Sequence, residues 1–465
     1  MAPPLRIPPH VEAVLGPLWE AGHAGYVVGG SVRDTLLGRQ VKDWDVATDA
    51  LPERILELFP RGRYQNRFGT VTVDHVEVTT FRRDHVYRDH RRPDTVTFTD
   101  DLVEDLVRRD FTVNAIAYGR AAEEPRIDWV DPTGGFADLA AGRLRAVGDA
   151  AARFDEDALR LLRGVRLAAV LHFDIEPATR AAMKAAAGTA LHLSAERIGQ
   201  ELRLMLDAEP PSAAFRSMDE LGLLGPTLPE LAAQHGIPQN KSNGLDLWGH
   251  TLATLDASAV LGRDDPLLHL AALLHDVGKP ETQTEEGFHG HDTAGAALVE
   301  RMLVRMAFSR PEVDCVRDLV RWHMFSYEPN WSDAAVRRFI RRVGPALLPR
   351  LFALRRADNV GSGLPTDAGL LAELEHRVAA ELERKVPLSL ADLAVNGDDL
   401  QREAGIPPGP ALGEILERLL DSVISDPERN VRDLLLADAR KWWLVMHRDT
   451  PEAPDRAEPA GERGR

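Results

Sequence analysis

The sequence predicts an α+β protein in which a head with a small mixed sheet is followed by helices to the end. Three observations point there. Short β-branched runs bounded by Gly, Asn and Asp fall within residues 1–145. From Glu156 to about His447, Leu, Ala and Arg recur at spacings of three and four. At 465 residues the chain is also too long for one core and implies two to four domains.

Taken in order, Gly25–Val28 reads as a short buried strand, and a Gly29-Gly30 turn leads into a helix over Val32–Leu37. Trp44–Thr48 reads as a second strand. Thr70–Val73 and Val76–Phe81 flank Asp74-His75 as a hairpin. Pro-, Gly- and polar-rich breaks fall at Ala208–Ser212, His235–Gly244 and Gly361–Asp367. The expected organisation is a head at 1–145, a helical neck at 146–240, a histidine-rich helical domain at 241–362, a helical C-terminal region at 363–448 and a disordered tail at 449–465.

Composition narrows the class. Apolar residues make up 44% and charged residues 28%, as in ordinary globular proteins. The N-terminus lacks the basic-then-apolar pattern of a signal peptide, and no apolar run approaches the ~20 residues of a membrane helix. Cys315 is the single cysteine, which excludes an intrachain disulfide. The expectation is a cytoplasmic protein with no membrane partner. A net charge of −17 argues against indiscriminate nucleic-acid binding but leaves room for local basic tracks. Val336–Arg356 holds seven arginines and no acid. A second cluster, Arg82, Arg83, Arg88, Arg91 and Arg92, is interleaved with Asp84 and Asp89. Each reads either as a solvated face or as part of an RNA track.

The first chemical feature is Val28-Gly29-Gly30-Ser31-Val32-Arg33-Asp34, followed by Asp43-Trp44-Asp45. Glycines at a strand-to-helix turn let backbone N–H groups approach a phosphate, and Arg33 can reach the same anion. Asp43 and Asp45 are two apart on a predicted strand, so both carboxylates share a face, and paired hard oxygens suit Mg²⁺. Two such ions could hold a triphosphate and activate a hydroxyl. Glu77, on the neighbouring hairpin, is a candidate third carboxylate. A lone D-x-D is weak evidence, being mostly solvent-facing acids; the ordered combination is more specific, with phosphate binding without chemistry as its alternative. In Arg108-Arg109-Asp110-Phe111-Thr112-Val113-Asn114, Arg109 could meet a phosphate and Asp110 a sugar hydroxyl, with Asn114 adding an amide. Asp131-Pro132-Thr133-Gly134-Gly135 reads as a turn that closes the head.

A third cluster, Glu156-Asp157 through Arg166, places Asp157, Arg160, Arg163 and Arg166 three apart along one predicted helix. An Asp acceptor beside an Arg fork can satisfy the hydrogen-bonding edge of a nucleobase. The same spacing also fits a salt bridge on an exposed face.

The order VGGSVRD, DWD, RRDFTVNAIAY, DPTGGFADL, EDALRLLRGVRLA and SAERIGQEL resembles the class II tRNA nucleotidyltransferase and bacterial poly(A) polymerase family over residues 25–205. The resemblance implies a polymerase-β-like head. Gly29, Gly30 and Arg33 would contact the nucleotide, Asp43 and Asp45 would bind catalytic Mg²⁺, and Arg109, Asp110 and Asn114 would hold phosphate and ribose. Asp157 and Arg160 would pair with the base as a protein template, supported by Arg163 and Arg166, with Arg197 and Glu201 bracing the helix. The implied reaction adds C, C and A from CTP and ATP to the tRNA 3′ end. Arg82–Pro93 resembles the flexible loop of members that add the terminal A, and Leu390–Asp399 resembles the tail of CCA-adding members. A-only or CC-only addition is the alternative within the family. Protein partners and oligomeric state are not legible.

Six of the sixteen histidines fall between His250 and His323. A His-Asp pair in a buried-looking helix is a costly place for polar groups unless they bind something, and imidazole with carboxylate suits a mid-row divalent ion. His250, His275-Asp276 and Asp358 resemble the series of the HD phosphohydrolase superfamily over about residues 245–362. The resemblance implies that these four are metal ligands for a divalent transition metal or Mg²⁺. His289, His291 and His323 would complete a second site or meet phosphate. A metal-dependent phosphohydrolase acting on RNA 3′ ends or nucleotides is therefore the alternative from another class.

Overall fold

A computed structural model of the chain describes residues 4–66, 69–85, 95–239 and 241–446. Arg88, Asp89, Arg91 and Arg92, and the tail from residue 449, lie outside the described residues. Among the described residues up to Val130 the head carries nine strands: β1 Gly25–Val28, β2 Trp44–Thr48, β3 Arg63–Asn66, β4 Thr70–Val73, β5 Val76–Thr80, β6 Arg82–His85, β7 Thr95–Phe98, β8 Ala117–Arg120 and β9 Asp128–Val130. Seven of them form one sheet in the order β3-β4-β5-β2-β1-β8-β9. β2 and β5 run parallel and the other neighbours antiparallel, so the sheet is mixed as expected. Asp74 and His75 both adopt positive φ (44° and 69°), the paired left-handed turn whose twist suits a two-residue hairpin.

The sheet buries Tyr26, Val28, Ala47, Phe81 and Ala117 on one face, against Leu102 and Leu106. Val27, Val46 and Val78 are buried too. Helix Pro9–Glu20 packs on β1 and β2 through Val11, Val14, Leu15 and Leu18, the apolar stripe of an amphipathic helix.

Behind the head the structure is helical, but the predicted helix over Asp157–Arg166 is broken. Helix Ala150–Glu156 ends, Asp157 is extended (φ −148°), and a new helix runs from Leu159 to Leu171. The cause is local: Asp157 Oδ1 accepts from the Leu159 N–H at 3.0 Å, offering the backbone an alternative to the helical ladder. No helix of the described residues is long and apolar enough to cross a membrane.

The chain divides into two compact units, residues 1–323 with 353–366, and residues 324–352 with 367–465. The second has its own core, in which Leu400, Ile415, Leu419, Val423 and Leu435 meet from helices Gly397–Ala404, Pro410–Ser425 and Arg432–Met446. Part of the arginine run is tied up in internal pairs. Arg337 is buried 3.5 Å from Glu381, and Arg341 pairs with Glu417 and, at 2.8 Å, with Asp421. The acids sit on helices far away in sequence, so a local count of charges misses them.

Candidate active site

At the end of β1 the chain turns through Gly29 (φ 75°) into helix Gly30–Leu36. Asp45 lies on β2 opposite Val28 on one side and Glu77 on the other. Asp43 is exposed, one residue before the strand. The glycine is required here: a Cβ on Gly29 would lie 3.2 Å from both Arg109 Nη1 and Asp45 Oδ2, at a φ that side chains rarely adopt. Burial pushes the Asp45 carboxyl up to about 6; Glu77 and Asp43 add to this, and Arg109 opposes it. A cluster of carboxylates whose own charges disfavour ionisation is a donor set that a divalent cation relieves, so the residues fit Mg²⁺. The site opens onto a cleft of about 1100 Å³ lined in part by Gly30, Arg33, Asp43, Asp45, Arg166 and Asp207.

The second cluster forms one network with the first. Arg33 donates from Nη1 to Asn114 Oδ1 at 2.6 Å and pairs with Asp34 at 2.9 Å. Asp110 accepts from its neighbour's backbone (Phe111 N, 2.8 Å), from Asn114 Nδ2 at 3.0 Å and from Arg163 at 2.7 Å. Burial alone would raise the Asp110 carboxyl, but Arg163 and Asn114 outweigh it and hold it well below the usual range. Asp157 Oδ2 accepts from Arg197 at 2.6 Å, and Arg166 donates to Glu201 at 2.7 Å. Arg160 donates to the carbonyls of Arg153 (3.0 Å) and Arg108 (3.2 Å) and pairs with Glu156. Buried Arg197 atoms Nε and Nη1 have no hydrogen-bond partner among the described residues, which leaves donor capacity beside Asp157.

The histidine cluster gathers at the ends and faces of five helices. His250 lies in Leu247–Leu261, His275 caps Pro266–Leu274, His291 opens His291–Arg305, His323 caps Arg310–Trp322 and Asp358 lies in Leu348–Gly361. The ring Nδ1 atoms of His275, His291 and His323 face the carbonyls of Ala272, Phe288 and Val320 at 2.7–2.8 Å. Donation there fixes the tautomer and leaves each Nε2 lone pair facing inward. His291 Nε2 and His323 Nε2 are 3.4 Å apart, an arrangement of two lone pairs that calls for a cation. The ligand atoms fall into two groups, His250–His275–Asp358 and Asp276–His291–His323, each with its atoms within 4.8 Å of one another. Asp276 faces both: Oδ2 is 3.1 Å from His275 and 3.4 Å from His250, and Oδ1 is 3.4 Å from His291 and 3.6 Å from His323. These donors fit divalent ions, which His250, His275 and Asp358 on one side and His291 and His323 on the other would hold, with Asp276 able to serve either group.

A poly(A) polymerase head domain model matches residues 25–145, a model described as a probable RNA and SrmB-binding site of polymerase A matches 172–234, and an HD domain model matches 247–362. The CCA-adding enzyme of Geobacillus kaustophilus is 32% identical over 453 residues, covering 96% of this chain and 99% of that protein. The chain belongs to the CCA-adding enzyme family. The CCA-adding enzyme of Lactococcus lactis is 33% identical, with coverage of 92% of this chain and 96% of its own. A crystal structure of the Bacillus stearothermophilus CCA-adding enzyme in complex with CTP aligns with a TM-score of 0.65 at 27% identity, over 97% of this chain and 100% of that one. The Thermotoga maritima CCA-adding enzyme complexed with tRNA shares the fold, with a TM-score of 0.53 at 20% identity, over 94% of this chain and 97% of that one. As a member of the family the chain is an enzyme with a nucleotidyltransferase head.

Within this CCA-adding family member, the structure brings Gly29, Asp45, Glu77 and Arg109 together, and separately links Arg33, Asn114, Asp110 and Arg163. It does not bring His289 to either metal group. That residue is exposed in the turn before Gly290 (φ 77°), and only His291, two residues on, enters a helix that faces the site. Lys241 and Lys279 were missed as members of the histidine site. Lys279 stood three residues after Asp276, a helical-turn spacing that could have flagged it. Lys241 sat in a polar loop with no such signal.

Proposed function

We propose that the head adds C, C and A to the tRNA 3′ end from CTP and ATP, with base choice made by protein side chains. The observation that carries the reading is the meeting of Asp43, Asp45 and Glu77 at the Gly29 turn, opposite Arg109, on a cleft that Arg166 also lines. Asp43 and Asp45 would hold Mg²⁺, with Glu77 as a further oxygen donor; the ion supplies charge neutralisation and a more acidic attacking hydroxyl. Arg109 and Arg33 orient the triphosphate, and the backbone at Gly29-Gly30 leaves room for it. The tRNA 3′-oxygen bonds to the α-phosphorus as the bond to the β-phosphate oxygen breaks, releasing pyrophosphate. Asp157 and Arg160 offer acceptor and donor to the base once they exchange their present partners Arg197 and the Arg108 and Arg153 carbonyls. The neck and the region after residue 362 carry the tRNA, in line with the domain boundaries read from the sequence. The setting is cytoplasmic.

Extension of a tRNA transcript lacking the whole CCA end tests this. CTP alone should add two residues, ATP alone none, and both together three. Extension only of a transcript already ending in CC would make the chain an A-adding specialist, and no extension of any transcript would reject the reading.

Gly29→Ala is expected to slow addition by about 10- to 100-fold, because moving Arg109 and Asp45 by a few tenths of an ångström spoils the alignment of reacting groups. Single-turnover rates at saturating CTP check this, and a wild-type rate would contradict it.

The two His/Asp groups favour a second reading for the helical domain: a centre for divalent transition metals or Mg²⁺ that cleaves phosphate esters at RNA 3′ ends. Opening of a 2′,3′-cyclic phosphate to the monoester, or phosphate release from a 3′-phosphate, lost in Asp276→Ala, would support it; metal-independent hydrolysis would not.

A further inference from the structure

The two metal groups of the histidine site are not equivalent, because Lys241 faces donors of the first and of that group alone among the described residues. Lys241 Nζ lies 2.8 Å from His250 Nε2 and 3.3 Å from Asp358 Oδ1, and is thus shared by two of the three donors of the first group. Lys279 Nζ lies 2.6 Å from Asp276 Oδ2, the oxygen turned towards His250 and His275. Among the described residues neither ammonium hydrogen-bonds to Asp276 Oδ1, His291 Nε2 or His323 Nε2, although Lys279 does hold the other oxygen of Asp276.

We propose that Lys241 is a tethered cation that competes with a divalent ion for the His250–His275–Asp358 position, so that the Asp276–His291–His323 position loads first. An ion bonded to His250 Nε2 and Asp358 Oδ1 would share those atoms with the ammonium, and two cations cannot occupy that space together. Lys241 donates to the same oxygen and faces the same ring nitrogen that the ion would use, so the exchange is one for one. The lysine is also held in place. The loop that carries it is latched by Ser242 Oγ to the Ser362 carbonyl at 2.8 Å and by Asn243 Nδ2 to the Gly361 carbonyl at 2.7 Å, at the end of the helix that supplies Asp358. Loading the first position therefore requires Lys241 to swing out, either by rotamer change or with release of this latch. The site becomes a two-ion centre only at the higher metal concentration, or when a bound phosphate gives the displaced ammonium a new partner.

This inference rests on the reading of both groups as metal sites. Its test uses the full chain carrying Asp45→Ala, so that the head carboxylates contribute little, titrated with Co²⁺ and followed by calorimetry and by the visible absorption of histidine-ligated cobalt. The parent should bind one Co²⁺ tightly and a second at least ~10-fold more weakly. Lys241→Met should bring the second affinity to within ~3-fold of the first, and Lys241→Arg, which keeps the charge, should restore the gap. Metal-dependent rise of the melting temperature gives an independent readout, larger in Lys241→Met than in the parent. Two equal sites in the parent, or an unchanged gap in Lys241→Met, would overturn the role of Lys241. No histidine-ligated Co²⁺ in either protein would instead overturn the metal reading itself.

Discussion

Asp45→Ala is expected to reduce CMP and AMP incorporation by at least ~10³-fold, equivalent to about 4 kcal/mol of transition-state stabilisation, while leaving the fold intact. Asp45 sits where β2, the Gly29 turn and Glu77 converge, so no neighbouring carboxylate can replace its geometry. Its replacement also has a stability signature with a defined sign. The folded carboxyl titrates at about 6 against 3.8 unperturbed, so the folded state binds the extra proton between those values. Metal-free stability therefore falls as pH rises through that window and stays lowered above it. Asp45→Asn, a neutral isostere, should stabilise the metal-free protein by about 1–3 kcal/mol at pH ~7.5, with little effect at pH ~4. Excess Mg²⁺ should abolish the difference, since the ion stabilises the wild-type carboxylate. Melting curves at the two pH values, alongside incorporation assays, check both halves. An active Asp45→Ala protein would remove the head from the mechanism.

Arg163→Ala should destabilise the chain by about 2–3 kcal/mol, since it strips Asp110 of its counter-ion inside the head. Asp110 is 9% exposed and keeps only the Phe111 N–H and the Asn114 amide. Complete burial of the pair would justify a larger figure, but the Arg163 side chain is 37% exposed, so water screens part of the charge left behind. The double variant Arg163→Met with Asp110→Asn should recover much of the loss, because it leaves no buried charge unpaired. Urea midpoints decide this. Equal loss in single and double variants would mean that the pair is not what holds the segment. The KM for CTP should rise in both, since the family resemblance implies that Asp110 helps hold phosphate and ribose.

The elements of the head centre were legible because each has a local signature. β1 and β2 were bounded by glycine and aspartate, and the left-handed Asp74-His75 turn separated two alternating runs. Helix Pro9–Glu20 was not legible, since Pro8 and Pro17 mask its apolar stripe. The break at Asp157 was missed because a spacing of three reads as helix whether or not an Asx turn intervenes. At the site, Gly29, Asp43, Asp45 and Arg109 were named from residue chemistry. The partnerships that position them were not, since Arg33 with Asn114 and Arg163 with Asp110 span 81 and 53 residues. Among the histidines the ligand types were readable, but their sorting was not. Whether His289 or His291 faces inward is settled by one helix start, and Lys241 reaches His250 only through a loop latched 118 or more residues away.

In the proposed reaction the protein itself reads the incoming base. This is tested most directly by supplying each of the four nucleoside triphosphates singly to tRNA lacking CCA and to tRNA ending in CC, with wild type, Asp157→Ala and Arg160→Ala. Wild type should add C to the first and A to the second, and either substitution should lower the rate and let U or G compete within ~10-fold. Retention of wild-type selectivity in both variants would contradict it and place base choice elsewhere.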